Sequence, residues 1–140
     1  MRVFVDANIL VSVINKEYPL FSHTSRILSL VNHPKFQIIT SPVCLAIAFY
    51  FAEKRHKSKA KDKMKLLCDH ITIADTTSEC VTKALDNPKV KDFEDGLEYY
   101  TAALASCKCI VTEDLNDFHF SDIEVLSSQD FFKKYMANRN

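Results

Sequence analysis

Three groups of acidic residues lie where the sequence predicts that a buried strand ends or a helix begins. Asp6 follows the apolar run at 3–5, Asp114 and Asp117 follow the apolar run at 109–112, and Asp95 lies near the start of a predicted helix. Crowded carboxylates repel one another unless a cation neutralises them. Carboxylate oxygens are the ligands that hard divalent cations such as Mg2+ prefer. If the three groups meet in the fold, the sequence predicts a metal site.

Each acidic group also has a simpler structural interpretation. Asp6 and Asn8 could cap a helix, Asp92 could be only an N-cap, and Asp114 with Asn116 could form a turn. Considered singly, these interpretations are the better ones. Considered together they are not, because capping residues would be scattered over both ends of a sheet, whereas these acids follow the carboxyl ends of strands, where functional crevices of parallel sheets lie.

The elements that must position these residues alternate between strands and helices. Short apolar runs predict strands at 3–5, 36–40, 70–74, 109–112 and 123–126. Helical spacing and capping signals predict helices after Asp6 and at 21–31, 42–55, 57–68, 77–85, 92–104 and 128–136. Such alternation implies parallel crossovers with helices on both faces of the sheet. We therefore expect an α/β fold, a three-layer α/β/α sandwich around a central parallel sheet of four to five strands.

The helix predicted from Asp92 carries the third acidic group. Asp92 can cap its N-terminus, and Asp95 occupies the position of a capping-box partner. Four apolar residues recur at helical spacing and predict a stripe that faces the core: Phe93, Leu97, Tyr100 and Leu104. The acids would then lie at the exposed start of a helix anchored by its apolar side.

Length and composition restrict the class of protein. The 140 residues, 47% of them hydrophobic and only one of them Gly, predict a single domain that spans 1–140. The 18 basic and 18 acidic side chains cancel, so attraction to a polyanion must come from a local patch. Five cysteines at irregular spacing and a start without a signal-peptide core predict a cytoplasmic protein with buried, reduced thiols. No apolar run is long enough to span a membrane, and no membrane partner is expected.

A basic segment begins near the end of the helix predicted at 42–55. Its first members are Lys54, Arg55, Lys57 and Lys59, and it continues to Lys65. This segment could guide an RNA backbone towards the acids. It could equally be the solvated exterior of a helix, because charges at alternate positions are distributed around a helix instead of lying on one face.

Aromatic and histidine side chains give weaker indications. Four aromatic residues could stack on bases, although we expect them to pack in the core or in an oligomer interface: Tyr18, Phe21, Tyr50 and Phe51. Of the five histidines, only His119 lies near the acids in the sequence, and a surface or packing role is expected for it.

The order of these motifs resembles that of the PIN-domain family. The matching segments are Val-Asp-Ala-Asn at 5–8, Asp-Phe-Glu-Asp at 92–95, Ala-Ala-Leu at 102–104, Thr-Glu-Asp at 112–114 and Asp-Phe at 117–118. Each segment alone is a weak signal. Their order and placement, over nearly the whole chain, make the resemblance more specific.

The resemblance implies a Mg2+- or Mn2+-dependent ribonuclease, similar to the toxins of bacterial toxin-antitoxin pairs. Carried over by position, the implied catalytic residues are Asp6, Asp95, Asp114 and Asp117. The first three of these would bind metal, Asn8 and Thr112 would orient carboxylates or water, and Glu94 would support them as a reserve ligand. RNA is then the expected substrate, and an antitoxin protein and a second copy of the chain are the implied partners.

One acid of the family pattern is missing from this chain. On the helix after the second strand, its position is occupied by Ile47. Glu53 lies about 9 Å further along the helix and on another face, so it cannot substitute. The alternative function is therefore a catalytically weak or inactive PIN-fold module that binds RNA or protein. A receiver-like signalling domain is less favoured, because Asp75 after the third strand lacks the paired acids that such a domain needs.

Overall fold

The chain alternates short strands with helices in the order that the sequence predicts. The computed structural model describes residues 1–137. The strands are β1 (Arg2–Val5), β2 (Gln37–Thr40), β3 (Thr72–Ile73), β4 (Cys109–Val111) and β5 (Glu124–Leu126). The α-helices are α1 (Ala7–Ile14), α2 (Phe21–Leu28), α3 (Pro42–His56), α4 (Ala60–Cys68), α5 (Ser78–Asp86), α6 (Phe93–Leu104) and α7 (Ser128–Tyr135). Single 3-10 turns occupy Ser29–Asn32, Lys57–Lys59 and Leu115–Phe118.

The sheet is entirely parallel, and β1 lies at its centre. The strand order is β3-β2-β1-β4-β5. Successive residues of a strand point to opposite faces, and Val3, Phe4 and Val5 of β1 are all fully buried, so helices must cover both faces of the sheet. The expected three-layer α/β/α architecture is therefore confirmed, with five strands.

The register of the sheet places the ends of β1 and β4 side by side. Val5 pairs with Val111, and the Asp6 backbone N–H donates to the Val111 carbonyl at 3.0 Å. The next residues along the two strands are Asp6 and Thr112, and both are buried. The centre of the carboxyl edge is thus the point where the ends of the first and fourth predicted strands meet.

Helix starts follow the predicted capping chemistry. The Ser41 hydroxyl accepts a hydrogen bond from the Cys44 N–H at 3.1 Å, and Pro42 is the first residue of α3. The Asp92 carboxylate accepts from the Glu94 N–H at 3.0 Å and caps α6. These two caps fix where the two helices that border the carboxyl edge begin.

The apolar stripe predicted for α6 is wrong. Phe93 and Leu104 are 43% and 51% exposed. The buried residues of α6 are instead Gly96, Glu98, Tyr99, Thr101 and Ala102. The helix is rotated relative to the prediction because its close contact with α5 is made through Gly96, the only residue of the chain without a Cβ, and this contact turns a glutamate inward.

Three further expectations are narrowed or corrected by the structure. Tyr18, Tyr50 and Phe51 are 73%, 56% and 44% exposed, which excludes core packing for them and leaves the oligomer interface as a prediction. The helix predicted at 57–68 is divided, because a 3-10 turn at Lys57–Lys59 separates α3 from α4. The third strand is limited to Thr72–Ile73, at the edge of the sheet.

The cysteines agree with the sequence prediction. Cys44, Cys80, Cys107 and Cys109 are buried and Cys68 is partly buried, and all five are free thiols. Across residues 1–137, no helix has the length and apolar character needed to cross a bilayer.

Candidate metal centre

Asp6 lies at the centre of the carboxyl edge, between the end of β1 and the start of α1. One carboxylate oxygen, Oδ1, accepts a hydrogen bond from the Ala7 N–H at 2.6 Å, so Asp6 caps α1 as the simpler interpretation proposed. The other oxygen, Oδ2, accepts from the Thr112 hydroxyl at 2.8 Å. Asp6 is only 6% exposed, and its carboxylate is held by the start of α1 and by Thr112 after β4.

Asn8 and Thr112 connect Asp6 to Asp114. The Asn8 amide nitrogen lies 3.3 Å from Asp6 Oδ2, 3.1 Å from Thr112 Oγ1 and 3.3 Å from Asp114 Oδ2. The Thr112 hydroxyl accepts from the Asp114 N–H at 3.0 Å, and Asn8 Oδ1 accepts from the Glu113 N–H at 3.3 Å. The first and third acidic groups, more than one hundred residues apart, are therefore joined by one hydrogen-bond network.

Asp95 extends this cluster from the first turn of α6. Burial, followed by the negative charges of Asp117, Asp92 and Asp6, raises the pKa of Asp95 to about 7. The pKa of Asp117 is also raised, by partial burial and then by Asp114. Such upward shifts are what burial and the crowding of like charges produce in neighbouring carboxyl groups.

Glu98 is a member of the site that the sequence predictions did not include. It is 2% exposed, and burial together with the charge of Asp6 raises its pKa to about 11. Ligand atoms of Glu98, Asp6 and Cys44 all lie within 4.8 Å of one another. Burial also raises the pKa of the Cys44 thiol, which is therefore a neutral neighbour of Asp6 and Glu98. Its spacing of three residues from Asp95 places Glu98 on one helix face with that acid, but this spacing does not show that the face points inward.

The acids line one open cleft of about 450 Å³. Its walls include Asp6, Asn8, Asp92, Glu94, Asp95, Glu98, Asp114 and Asp117 on the acidic side, and Val11, Leu20, Ile47 and Phe51 on the apolar side. Ile47 thus lies beside the acids, at the position where the family pattern has a carboxylate that this chain lacks. Glu94, the predicted reserve ligand, is exposed at the rim.

Glu113 and His119 lie close to these acids in the sequence but do not line the cleft. Glu113 accepts hydrogen bonds from the Ser128 N–H, at 3.0 Å, and from the Ser128 hydroxyl, so it supports the start of α7. His119 is exposed and its ring contacts the Asn116 carbonyl at 3.2 Å. It lies beside Asp117 in a small adjoining cavity and has the surface position that the sequence predicted.

The basic segment lies on the surface, and its first member adjoins the cleft. Lys54 Nζ lies 4.3 Å from the centre of the Tyr50 ring and 5.9 Å from that of Phe51, which is itself a wall of the cleft. Arg55, Lys57 and Lys59 are exposed over the following turn. Through Phe51, Lys54 therefore lies at the border of the cleft.

The donor set fits a hard divalent cation. In the part of the chain that the structure describes, ion pairs form between Lys83 and Glu79 and between Lys134 and Glu124, and neither pair borders the cleft. Among the described residues, the cleft carboxylates therefore form no ion pair with a basic side chain, and Glu98 Oε2 is buried without a hydrogen-bond partner. Carboxylate oxygens with room for several waters match the coordination that Mg2+ and Mn2+ require.

Comparison with known proteins gives one family and several relatives. A family model described as "PIN domain" matches residues 2–116. The protein "Ribonuclease VapC1" of Aquifex aeolicus (strain VF5) is 28% identical over 138 residues, which cover 96% of this chain and 95% of that protein.

Solved structures share the fold at lower identity. VapBC2 of Rickettsia felis, bound to a DNA fragment from its promoter, has a TM-score of 0.69 at 19% identity and covers 91% of this chain and 98% of that one. VapC20 of Mycobacterium tuberculosis, described as a "Sarcin-Ricin loop cleaving toxin", has a TM-score of 0.63 at 13% identity and covers 77% and 86% of the two chains. At such identities the likeness supports the fold alone.

Proposed function

Because this chain belongs to the PIN domain family, we propose that it is a divalent-metal-dependent endoribonuclease that hydrolyses RNA phosphodiester bonds. The observation that carries the proposal is the network in which Asn8 and Thr112 join Asp6 to Asp114 within an acidic cleft. Capping alone does not explain it, since a helix cap needs one carboxylate and this edge brings several together.

Each acidic or polar residue of the proposed site has a distinct part. Asp6, Asp95 and Asp114 hold Mg2+ or Mn2+, and Asp117 completes the catalytic set at the rim. Asn8 and Thr112 orient the carboxylates through the hydrogen bonds described above. When bound, a hard cation supplies the positive charge and the acidity of water that phosphodiester hydrolysis requires.

The substrate class and the partners rest on weaker support. The Aquifex relative is named a ribonuclease and the Mycobacterium structure is described as that of a "Sarcin-Ricin loop cleaving toxin", and these names support RNA as the substrate that we propose. The family resemblance further implies a toxin role with an antitoxin partner, and a homodimer. The free, mostly buried thiols agree with the proposed reducing cytoplasm.

The test is cleavage of end-labelled RNA by the purified chain with Mn2+, with Mg2+ and with EDTA. We expect cutting that EDTA abolishes and that Asp6→Asn reduces at least a hundredfold. Asp75→Asn is the matched control, because Asp75 is exposed after β3 at the same edge of the sheet but is not a wall of the cleft. Equal loss in both variants, or cutting that persists in EDTA, would contradict the proposal.

Ile47 favours a second candidate function, a PIN-fold module that binds RNA or protein without cutting. An apolar side chain in the wall of the cleft removes one carboxylate that the family pattern carries. This candidate predicts RNA binding that weakens steeply with salt and no cutting under any metal condition. The same labelled RNA therefore separates the two functions in one series of measurements.

A further inference from the structure

Glu98 has a placement that a packing role does not account for. It lies in the middle of α6, is 2% exposed and directs its carboxyl group towards Asp6. Its Oε2 atom is buried without a hydrogen-bond partner among the described residues. A buried carboxyl group that faces a second carboxylate and lacks full hydrogen bonding opposes folding, so its presence indicates a use other than packing.

Glu98 lies in the same cleft from which one carboxylate of the family pattern is missing. The acid missing at Ile47 would project into the cleft from α3, and Glu98 projects into the same cleft from α6. Its helix position, three residues after Asp95, places the two carboxyl groups on one face. Glu98 and Asp6 each offer an oxygen within 4.8 Å of the other, a separation that two ligands of one cation can have.

We propose that Glu98 is a metal ligand of this chain, which binds the divalent cation together with Asp6 and replaces from α6 the carboxylate absent at Ile47. The inference rests on the proposed function, because it concerns the same cation. It adds that the number of carboxylates in the site is the same as in the family pattern, because α6 supplies the one that α3 lacks. Ile47 is then a tolerated apolar wall and the chain retains a full set of acidic ligands.

The experiment measures Mn2+ binding directly, by calorimetry and by the electron paramagnetic resonance signal of free Mn2+, without RNA. Wild type, Glu98→Gln, Asp6→Asn and Asp75→Asn are compared after circular dichroism has confirmed the fold of each. Glutamine keeps the shape of the side chain and can still donate a hydrogen bond to Asp6, so a packing role predicts unchanged affinity. A ligand role predicts that Glu98→Gln weakens Mn2+ binding by about tenfold or more, while Asp75→Asn leaves it unchanged.

A rescue variant makes the assignment specific. In the double variant Ile47→Glu with Glu98→Gln, the carboxylate returns to the cleft from α3, and we expect Mn2+ affinity to recover by severalfold. If Glu98→Gln does not fold, Glu98→Asp serves in its place, since withdrawing the carboxylate by one methylene should weaken binding severalfold with the charge retained. If the Mn2+ affinity of Glu98→Gln stays within twofold of the wild-type value, this inference is overturned and the proposed function still stands. Absence of Mn2+ binding by the wild type would overturn both.

Discussion

At the scale of single residues, Glu98 and Asp95 are acids whose ionisation the fold opposes. Burial comes first for both, and neighbouring carboxylates add to it, so the pKa is raised to about 11 for Glu98 and to about 7 for Asp95. In the folded, metal-free protein these groups keep protons that the unfolded chain has released above about pH 4 to 5. Stability is therefore greatest below the unfolded pKa values and falls as the pH rises towards the folded ones.

We predict that Glu98→Gln flattens this dependence. In EDTA, the free energy of unfolding of the wild type should fall between pH 5 and pH 8, and Glu98 can contribute up to about 1.4 kcal/mol per pH unit. The groups that face it are Asp6 from the end of β1, Cys44 from α3 and Asp95 from its own helix. Urea unfolding at several pH values measures the slope, and Glu98→Gln should exceed the wild type in stability at pH 8.

Asp75→Asn is the control for this profile, because its carboxylate is exposed. Its pH slope should match that of the wild type. If the Glu98→Gln profile runs parallel to the wild-type profile, the carboxyl group is ionised in the folded protein and the sign argued here is wrong.

At the scale of elements, the packing of α5 on α6 fixes the rotation of the helix that carries Asp95 and Glu98. A Cβ at Gly96 would lie 2.9 Å from Ala84 Cβ and 2.7 Å from Val90 Cγ1. The Val90 side chain can rotate away, but the Ala84 Cβ moves only with its helix. The two helices can therefore approach this closely only because position 96 has no side chain.

We predict that Gly96→Ala destabilises the protein by about 1–3 kcal/mol through overpacking, although alanine is the better helix former by about 1 kcal/mol. Thermal and urea unfolding measure the loss. Ala84→Gly in the Gly96→Ala background should restore part of it, since that substitution removes the opposing Cβ. A stabilised Gly96→Ala variant would show that α5 can move away at little cost.

The junction of α3 and α4 contains a strained residue. Lys57 has φ 52° and ψ −118°, in the region that favours glycine, whereas Lys59 in the same turn has φ −86° and ψ −7°. We predict that Lys57→Gly raises the free energy of unfolding by about 1 kcal/mol through relief of strain, and that Lys59→Gly lowers it. Both variants remove one exposed lysine, so a gain in each would indicate a charge effect instead of a backbone effect.

The elements differ in how far the sequence could predict them. Asp6, Asp95 and Asp114 could be predicted to lie together because each directly follows a strand or begins a helix, and strand ends share an edge in any parallel sheet. Glu98 could not, because its inward direction depends on the rotation of α6 about its axis. That rotation is set by the contact of Gly96 with α5, and the spacing of Phe93 and Leu104 indicated a different face.

At the scale of the whole molecule, an electrically balanced chain must attract RNA through a local patch. Lys54 lies against Tyr50 and Phe51 at the border of the cleft, and Arg55 is exposed beside it. We predict that Lys54→Gln with Arg55→Gln weakens RNA binding and reduces its salt slope by one to two units, since each phosphate contact contributes about one. Fluorescence anisotropy in Ca2+, at several salt concentrations, measures both quantities.

Lys108→Gln is the control for the basic patch, because Lys108 is exposed at the amino end of β4, the opposite edge of the sheet from the cleft. Its affinity and salt slope should remain those of the wild type. An equal reduction in both proteins would mean that RNA responds to overall charge and that the segment at 54–59 has no special role.

The cation, finally, should act on the whole chain at once. Its proposed ligands come from the first loop, from α6 and from the loop after β4, so a bound cation joins the two ends of the sequence across β1 and β4. Binding to the folded state alone adds about 1.4 kcal/mol to the free energy of unfolding at a metal concentration ten times the Kd. We predict that millimolar Mn2+ shifts a single thermal transition upwards, that EDTA reverses the shift, and that Asp6→Asn loses it.

Because NaCl at equal ionic strength screens the same carboxylates without being coordinated, it should reproduce only a small part of the shift. Two separate transitions, of which only one responds to Mn2+, would contradict both the shared site and the prediction of one domain over 1–140.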